Sequence, residues 1–131
     1  MRIEVTRQAL AAMRAAQAEA APDEACGLLF GTARTVTRFV PARNVHPDPR
    51  RFFEIDPQAL IDAHRASRAG GPMLVGYFHS HPAGAARPSR TDQAQAARDG
   101  MIWAIAGHRE ITLWRDAPGG FAPLSYRSVD P

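Results

Sequence analysis

Lysine is absent from this 131-residue chain, and all 16 of its basic side chains are Arg. Cysteine occurs once, at Cys26. A single thiol excludes an internal disulfide and any zinc finger built on several thiolates. So thiol-poor a chain suits a reducing compartment, and the cytoplasm is the expected location. Long apolar runs are missing too. The longest, Gly27–Gly31 and Met101–Gly107, fall far short of the roughly 20 residues a membrane helix needs. The start, Met1-Arg2-Ile3-Glu4-Val5-Thr6-Arg7, lacks an apolar signal region, so neither export nor a membrane partner is expected. The Arg residues are scattered, with only Arg50 and Arg51 adjacent, and no aromatic-basic motif accompanies them. The net charge of +3 therefore reads as a solvated basic surface, and nucleic acid is not an expected partner.

What is present is an ordinary globular balance, 45% hydrophobic and 22% charged, which excludes wholesale disorder. The length fits one domain over residues 1–131, and no repeat or linker divides it. Thr6–Glu19 reads as a helix capped by Thr6, with Leu10, Met13 and Gln17 on one face. Ala25–Phe30 reads as a buried strand, paired with the alternating, β-branched Thr35–Val40. A polar loop follows over Pro41–Pro49, then a short strand over Arg51–Ile55. Asp56-Pro57 opens a helix to about Arg68, which Gly70-Gly71 stops. Met73–His79 is the next strand, Pro82–Pro88 a loop, and Ser89–Asp99 a helix stopped by Gly100. Met101–Ala106, Glu110–Arg115 and Phe121–Arg127 complete the set as strands. Strands and helices mix without strict alternation. The expected class is therefore α/β in the α+β sense: one curved, mixed sheet flanked by two or three helices.

The segment that carries chemistry is His79-Ser80-His81-Pro82, followed by Pro88-Ser89 and Asp92. Side chains two apart on a strand share a face, so the two imidazoles can converge on one ion. The Pro- and Gly-containing loop can turn the chain back and bring Asp92 to the same point. Two His and one carboxylate leave a fourth zinc position open for water, as catalytic sites do. Ser89-x-x-Asp92 is also a capping-box pattern, and a helix start is a rigid place from which to present a ligand. A second segment, Glu24-Ala25-Cys26-Gly27-Leu28-Leu29-Phe30-Gly31, sets a carboxylate just before an apolar strand. Read alone, Glu24 is a solvated loop residue and Cys26 a small buried hydrophobe.

Taken together, these segments resemble the JAMM, or MPN-plus, zinc metalloproteases. That family's pattern is a Glu ahead of a Gly-Leu-rich strand, then His-x-His-Pro, then Pro-Ser and an Asp separated from the second His by ten residues. Here Glu24, His79-Ser80-His81-Pro82 and Pro88-Ser89-Arg90-Thr91-Asp92 fill every position. The resemblance runs from about Val5 to Trp114 and is strongest to the short, single-domain bacterial branch. The inserted loops of the large eukaryotic members are missing, because Asp92 leads quickly to the Met101 strand.

The resemblance implies that His79, His81 and Asp92 hold Zn²⁺, that Glu24 is general base and then acid, and that Ser89 donates to the carbonyl oxygen as charge develops. It also implies the substrate: a peptide or isopeptide bond after the C-terminal tail of a ubiquitin-like or sulfur-carrier protein. Such a tail could be held by adding a strand to an exposed sheet edge beside the metal. A homodimer is the candidate oligomer. Two rival readings remain at this point. One is a cysteine hydrolase with Cys26 as nucleophile, which the strand placement of Cys26 disfavours. The other is a non-catalytic MPN scaffold module, although such modules lose ligands and this chain keeps them.

Overall fold

Ile3 and Val5 alternate with polar residues in Arg2–Thr6, and both are fully buried. This segment is a strand, β1, to which the sequence reading assigned no structure. In the computed structural model, residues 2–130 are described; Met1 and Pro131, the two ends of the expected domain, lie outside the described residues. After β1 come α1 (Arg7–Ala20), β2 (Cys26–Thr32), β3 (Thr35–Ala42) and α2 (Pro57–Arg68). Then follow β4 (Leu74–Ser80), α3 (Arg90–Gln95), β5 (Ile102–Ala106), β6 (Ile111–Ala117) and β7 (Gly120–Val129).

The seven strands form one mixed sheet in the order β1-β3-β2-β4-β5-β6-β7, and it curves until β7 returns to pair with β1. The expected curved, mixed sheet with flanking helices is what forms, and β1 closes it into a barrel. β1 runs parallel to both β3 and β7, and β4 runs parallel to β5; the remaining pairs are antiparallel. Period-two alternation divides the apolar residues of β2 between two cores. Leu29 packs with Ile3, Val5, Phe39 and Phe78 in the core that α1 covers through Ala9 and Met13. Cys26, Leu28 and Phe30 pack with Leu74 and Tyr77 in a second core, covered by Leu60 and Ala63 of α2. Both long helices begin where their caps indicate. Thr6 Oγ1 accepts from Ala9 N–H at 3.2 Å, and Asp56 Oδ1 accepts from Gln58 N–H at 3.1 Å.

Two expected elements differ. Arg51–Ile55 is not a strand; its ladder pairing is reduced to the isolated bridge Asn44↔Ile55. The Asn44 side chain takes up Phe52 C=O and Glu54 N–H, so two main-chain groups that a ladder would pair go to an amide instead. The last short helix, α3, stops at Gln95 rather than continuing to Asp99. The reason is Asp116, which is completely buried. It accepts from Arg98 N–H at 3.0 Å and from Arg98 Nη1 at 3.2 Å. Arg98 sits at φ 57°, outside helical space. A tertiary ion pair thus outcompetes local helix propensity.

Replacing Asp116 with Ala leaves the Arg98 N–H without its acceptor. We expect a loss of about 2 kcal/mol of stability, measured by urea denaturation. An unchanged midpoint would contradict this account.

Candidate active site

β4 lies inside the sheet between β2 and β5, and its last residues carry the first two candidate ligands. His79 stands opposite Cys26 on one side and Ile105 on the other, and it is completely buried. His81 N–H donates to Ala106 C=O at 2.7 Å, which extends the β4–β5 ladder and keeps both imidazoles on one face. The loop over residues 82–88 then folds back against the β5–β6 turn. Thr112 Oγ1 donates to Ala86 C=O at 2.5 Å, and His108 N–H donates to Gly84 C=O at 3.2 Å. Gly107 permits this approach, since a Cβ there would lie 2.6 Å from Ala86 N.

The loop delivers Ser89 as the N-cap of α3. Ser89 Oγ accepts from Asp92 N–H at 3.0 Å, and Asp92 Oδ2 accepts from Ser89 N–H at 2.8 Å. The same Oδ2 lies 3.1 Å from His79 Nε2 and 3.3 Å from His81 Nε2, while the two Nε2 atoms are 3.0 Å apart. One carboxylate thus both caps α3 and faces the two imidazoles. The His81 ring is oriented by its other nitrogen, 2.9 Å from Ala85 C=O; a proton donated there leaves the Nε2 lone pair facing the centre. His79 is oriented by packing instead. Phe53 stacks on it at 4.2 Å with rings 15° apart, and Trp103 meets it edge-on at 5.7 Å. Its Nδ1 is buried and has no hydrogen-bond partner among the described residues.

Glu24 arrives from the turn before β2. Ser80, between the two His on the opposite face, holds that turn: its Oγ accepts from Ala25 N–H at 2.8 Å, and its N–H donates to Ala25 C=O at 3.0 Å. Glu24 N–H donates to Pro49 C=O at 2.7 Å, and Glu24 C=O accepts from Asn44 Nδ2 at 3.0 Å. A Glu24 carboxylate oxygen comes within 4.8 Å of both imidazoles, yet forms no ion pair with either. Two carboxylates therefore flank the His pair, and Asp92 is the closer. Glu24, His81, Ser89 and Asp92 line a cavity of about 120 Å³, together with Arg51 and Phe53. Arg51, Phe53 and Asn44 lie in the region read from sequence as a polar loop and a strand. Alternation puts Phe52 and Phe53 on opposite faces, which left either as core or groove lining; nothing local marked Arg51 or Asn44, because their roles arise from contacts with distant residues.

Burial governs the electrostatics. It pushes the Glu24 carboxyl up to about 7, helped by the Asp92 charge and opposed by His81. It lowers His79 against the pull of Asp92. Burial would lower His81 and raise Asp92, but their mutual hydrogen bonding reverses both, leaving His81 raised and Asp92 lowered. Cys26 is different. Its thiol is pushed up to about 12 by burial and by Glu24, and its Sγ lies 3.6 Å from Ala42 C=O and from Arg43 C=O. It is a protonated core thiol, not an activated nucleophile.

Residues 6–117 match the family model for prokaryotic homologs of the JAB domain. The chain belongs to that family. This bears out the family resemblance read from Glu24, the His-x-His-Pro run and Asp92. The JAB chain is 40% identical over 86 residues to a desampylase of Haloferax volcanii, covering 64% of this chain and 62% of that protein. It is 41% identical over 92 residues to a probable TtuB-protein conjugate cleaving protease of Thermus thermophilus, covering 70% and 62%. It thus spans under two thirds of the length of these curated relatives. A solution structure from Desulfitobacterium hafniense, 30% identical, superposes with a TM-score of 0.86 over 98% of this chain and 94% of that one. No helix among the described residues is long and apolar enough to cross a membrane.

The raised Glu24 pKa fixes a stability trend for the metal-free JAB chain. The folded state holds a proton that the unfolded state releases near 4.5. Stability from this group is complete below that pH and is lost as pH rises through about 7. Glu24→Gln cannot ionise, so it should gain on the order of 3 kcal/mol relative to the parent between pH 5 and pH 8. Urea denaturation with chelator at both pH values measures this, and a pH-independent difference would refute it.

Proposed function

We propose that this chain is a single-domain, zinc-dependent hydrolase. It would cut the peptide or isopeptide bond after the C-terminal tail of a ubiquitin-like or sulfur-carrier protein. The observation that carries this reading is the triangle of donor atoms. Two ligands about 2.0–2.1 Å from a tetrahedral zinc stand roughly 3.3 Å apart. The Nε2–Nε2 and Nε2–Oδ2 separations are 3.0, 3.1 and 3.3 Å. Two imidazoles and one carboxylate are also a donor set zinc accepts, with one position left free. His79, His81 and Asp92 are the residues that would hold it. Glu24 stands further off than Asp92: a carboxylate oxygen lies within 4.8 Å of both imidazoles but forms no ion pair with them.

Bound zinc supplies Lewis acidity and brings the pKa of a coordinated water down to about 7. The protein supplies the rest. Glu24, with a carboxylate oxygen within 4.8 Å of both imidazoles, is placed to take a proton from the attacking water and hand it to the leaving amine. Ser89 Oγ already accepts from Asp92 N–H, so its hydroxyl proton is free for the substrate carbonyl oxygen as charge grows there. Phe53 and Gln95 line both the small cavity and an adjoining groove of about 500 Å³. That groove is walled by Ile55, Leu60, Tyr77 and Trp103, an apolar channel suited to an extended tail. The closed barrel leaves no free sheet edge at β4. The irregular stretch at Phe53 offers the alternative, since its N–H and C=O make no hydrogen bond among the described residues. The relatives' names, a desampylase and a conjugate cleaving protease, support this substrate class, and the thiol-poor composition supports work in the cytoplasm.

Two outcomes test the reading. Asp92→Asn keeps a carbonyl oxygen for the cap but weakens the ligand. The parent should retain one zinc per chain after dialysis and the variant should lose it, as measured by elemental analysis. A zinc-free parent would end the proposal. Glu24→Gln should keep the zinc and lose roughly 10²- to 10⁴-fold in turnover of a ubiquitin-like C-terminal fusion. Near-normal turnover would remove Glu24 from the mechanism.

A further inference from the structure

We propose that Asn44 is a positioning residue of the hydrolytic centre. Its single amide fixes Glu24 and the Phe53 wall relative to one another. This rests on the hydrolase reading above and extends it to a residue that touches neither the substrate nor the metal ligands.

Asn44 follows β3, and its side chain reaches two separate parts of the chain. Nδ2 donates to Glu24 C=O at 3.0 Å and to Phe52 C=O at 3.0 Å. Oδ1 accepts from His46 N–H at 3.1 Å and from Glu54 N–H at 3.1 Å. Both donor hydrogens and both acceptor lone pairs are used, so the amide has one orientation only. The two chain positions flanking Phe53 are thereby tied to the amide that holds the backbone of Glu24. Phe53 in turn stacks on His79. The stretch around Phe53 has few main-chain bonds besides: Phe52 N–H donates to Asp48 C=O and Asp56 N–H to Arg43 C=O, both at 3.1 Å. It makes one isolated bridge to Asn44 itself, and the Val45 N–H bond to Glu54 C=O closes beside it. The Asn44 side chain stands where strand pairing would otherwise stand. No other side chain reproduces this fork. Asp accepts but does not donate when ionised, Ala does neither, and Gln sets the amide one methylene further out.

The consequence is a division of effects that separates positioning from mere support. Asn44→Asp keeps the acceptors for His46 and Glu54 N–H, hence the Glu54 side of the groove wall, but loses the donors to Glu24 C=O and Phe52 C=O. Asn44→Ala loses both. On the zinc-loaded full chain, with a ubiquitin-like C-terminal fusion as substrate, both variants should keep one zinc. Both should lose roughly 10- to 100-fold in kcat, the scale of a small misplacement of a reacting group. KM should stay within about twofold in Asn44→Asp and rise several-fold in Asn44→Ala. Hydrogen exchange supplies a readout independent of activity. The Glu24 and Val45 amides should exchange faster together in Asn44→Ala, while the β5 amides keep their protection. If the Ala variant does not fold, the same exchange comparison is made on Asn44→Asp for the Glu24 amide. Parent-like kcat per zinc-loaded molecule in both variants, or unchanged exchange at Glu24, overturns the proposal. A parent that cuts no fusion ends the hydrolase reading instead, and the exchange result then decides the Asn44 tether alone.

Discussion

Three electron-rich atoms, two imidazole nitrogens and one carboxylate oxygen, face one another across 3.0 to 3.3 Å in the interior of this protein. Without a cation between them, such a cluster is costly. Each group leaves water, and the charged forms lose the most. The chain offsets that cost locally. The Asp92 carboxylate also accepts from the Ser89 N–H, His81 is anchored on Ala85 C=O, and His79 is wedged between aromatic rings. These supports hold the three atoms 3.0 to 3.3 Å apart, separations that match those between ligands of a small tetrahedral ion.

The barrel makes this possible because it brings four separate segments to one end of β4. A strand inside the sheet cannot shift without breaking two ladders, so His79 and His81 inherit the rigidity of β2 and β5. The loop after them is pinned where Gly107 lets Ala86 approach the β5–β6 turn. Ser80 uses the face opposite the His pair to hold the turn that carries Glu24. The centre therefore sits on rigid elements, while the wall around Phe53 is held by side-chain hydrogen bonds.

Both carboxylates are buried, and their hydrogen-bond partners separate them into different chemistries. Asp92 is kept ionised by His79, His81 and a backbone N–H, whereas Glu24 lacks such partners and rises to about 7. One is held as a permanent anion suited to ligation. The other is held near the point of proton exchange at neutral pH. The thiol of Cys26, close to Glu24, is raised as well, into the inert protonated range.

Local patterns were enough for the helices that begin at Thr6 and Asp56, because a cap and its first turn interact within a few residues. They were enough for the His79–His81 pair, because strand geometry alone puts alternate side chains on one face, and for the Ser89–Asp92 cap. They were not enough for β1, whose role is to close a barrel against β7 over a hundred residues away. Nor did they locate the end of α3, which Asp116 decides from across the fold, or the course of residues 51–55, where the Asn44 amide replaces a ladder. By itself the sequence determined which side chains were available for chemistry and which short segments would be regular, since both follow from neighbours in the chain. Only the tertiary structure decided that Glu24 meets His79 and His81, that Asp92 lies 3.1 Å from His79, and how far burial moves each proton. Distance and dielectric are properties of the packed molecule, and no stretch of the chain contains them alone.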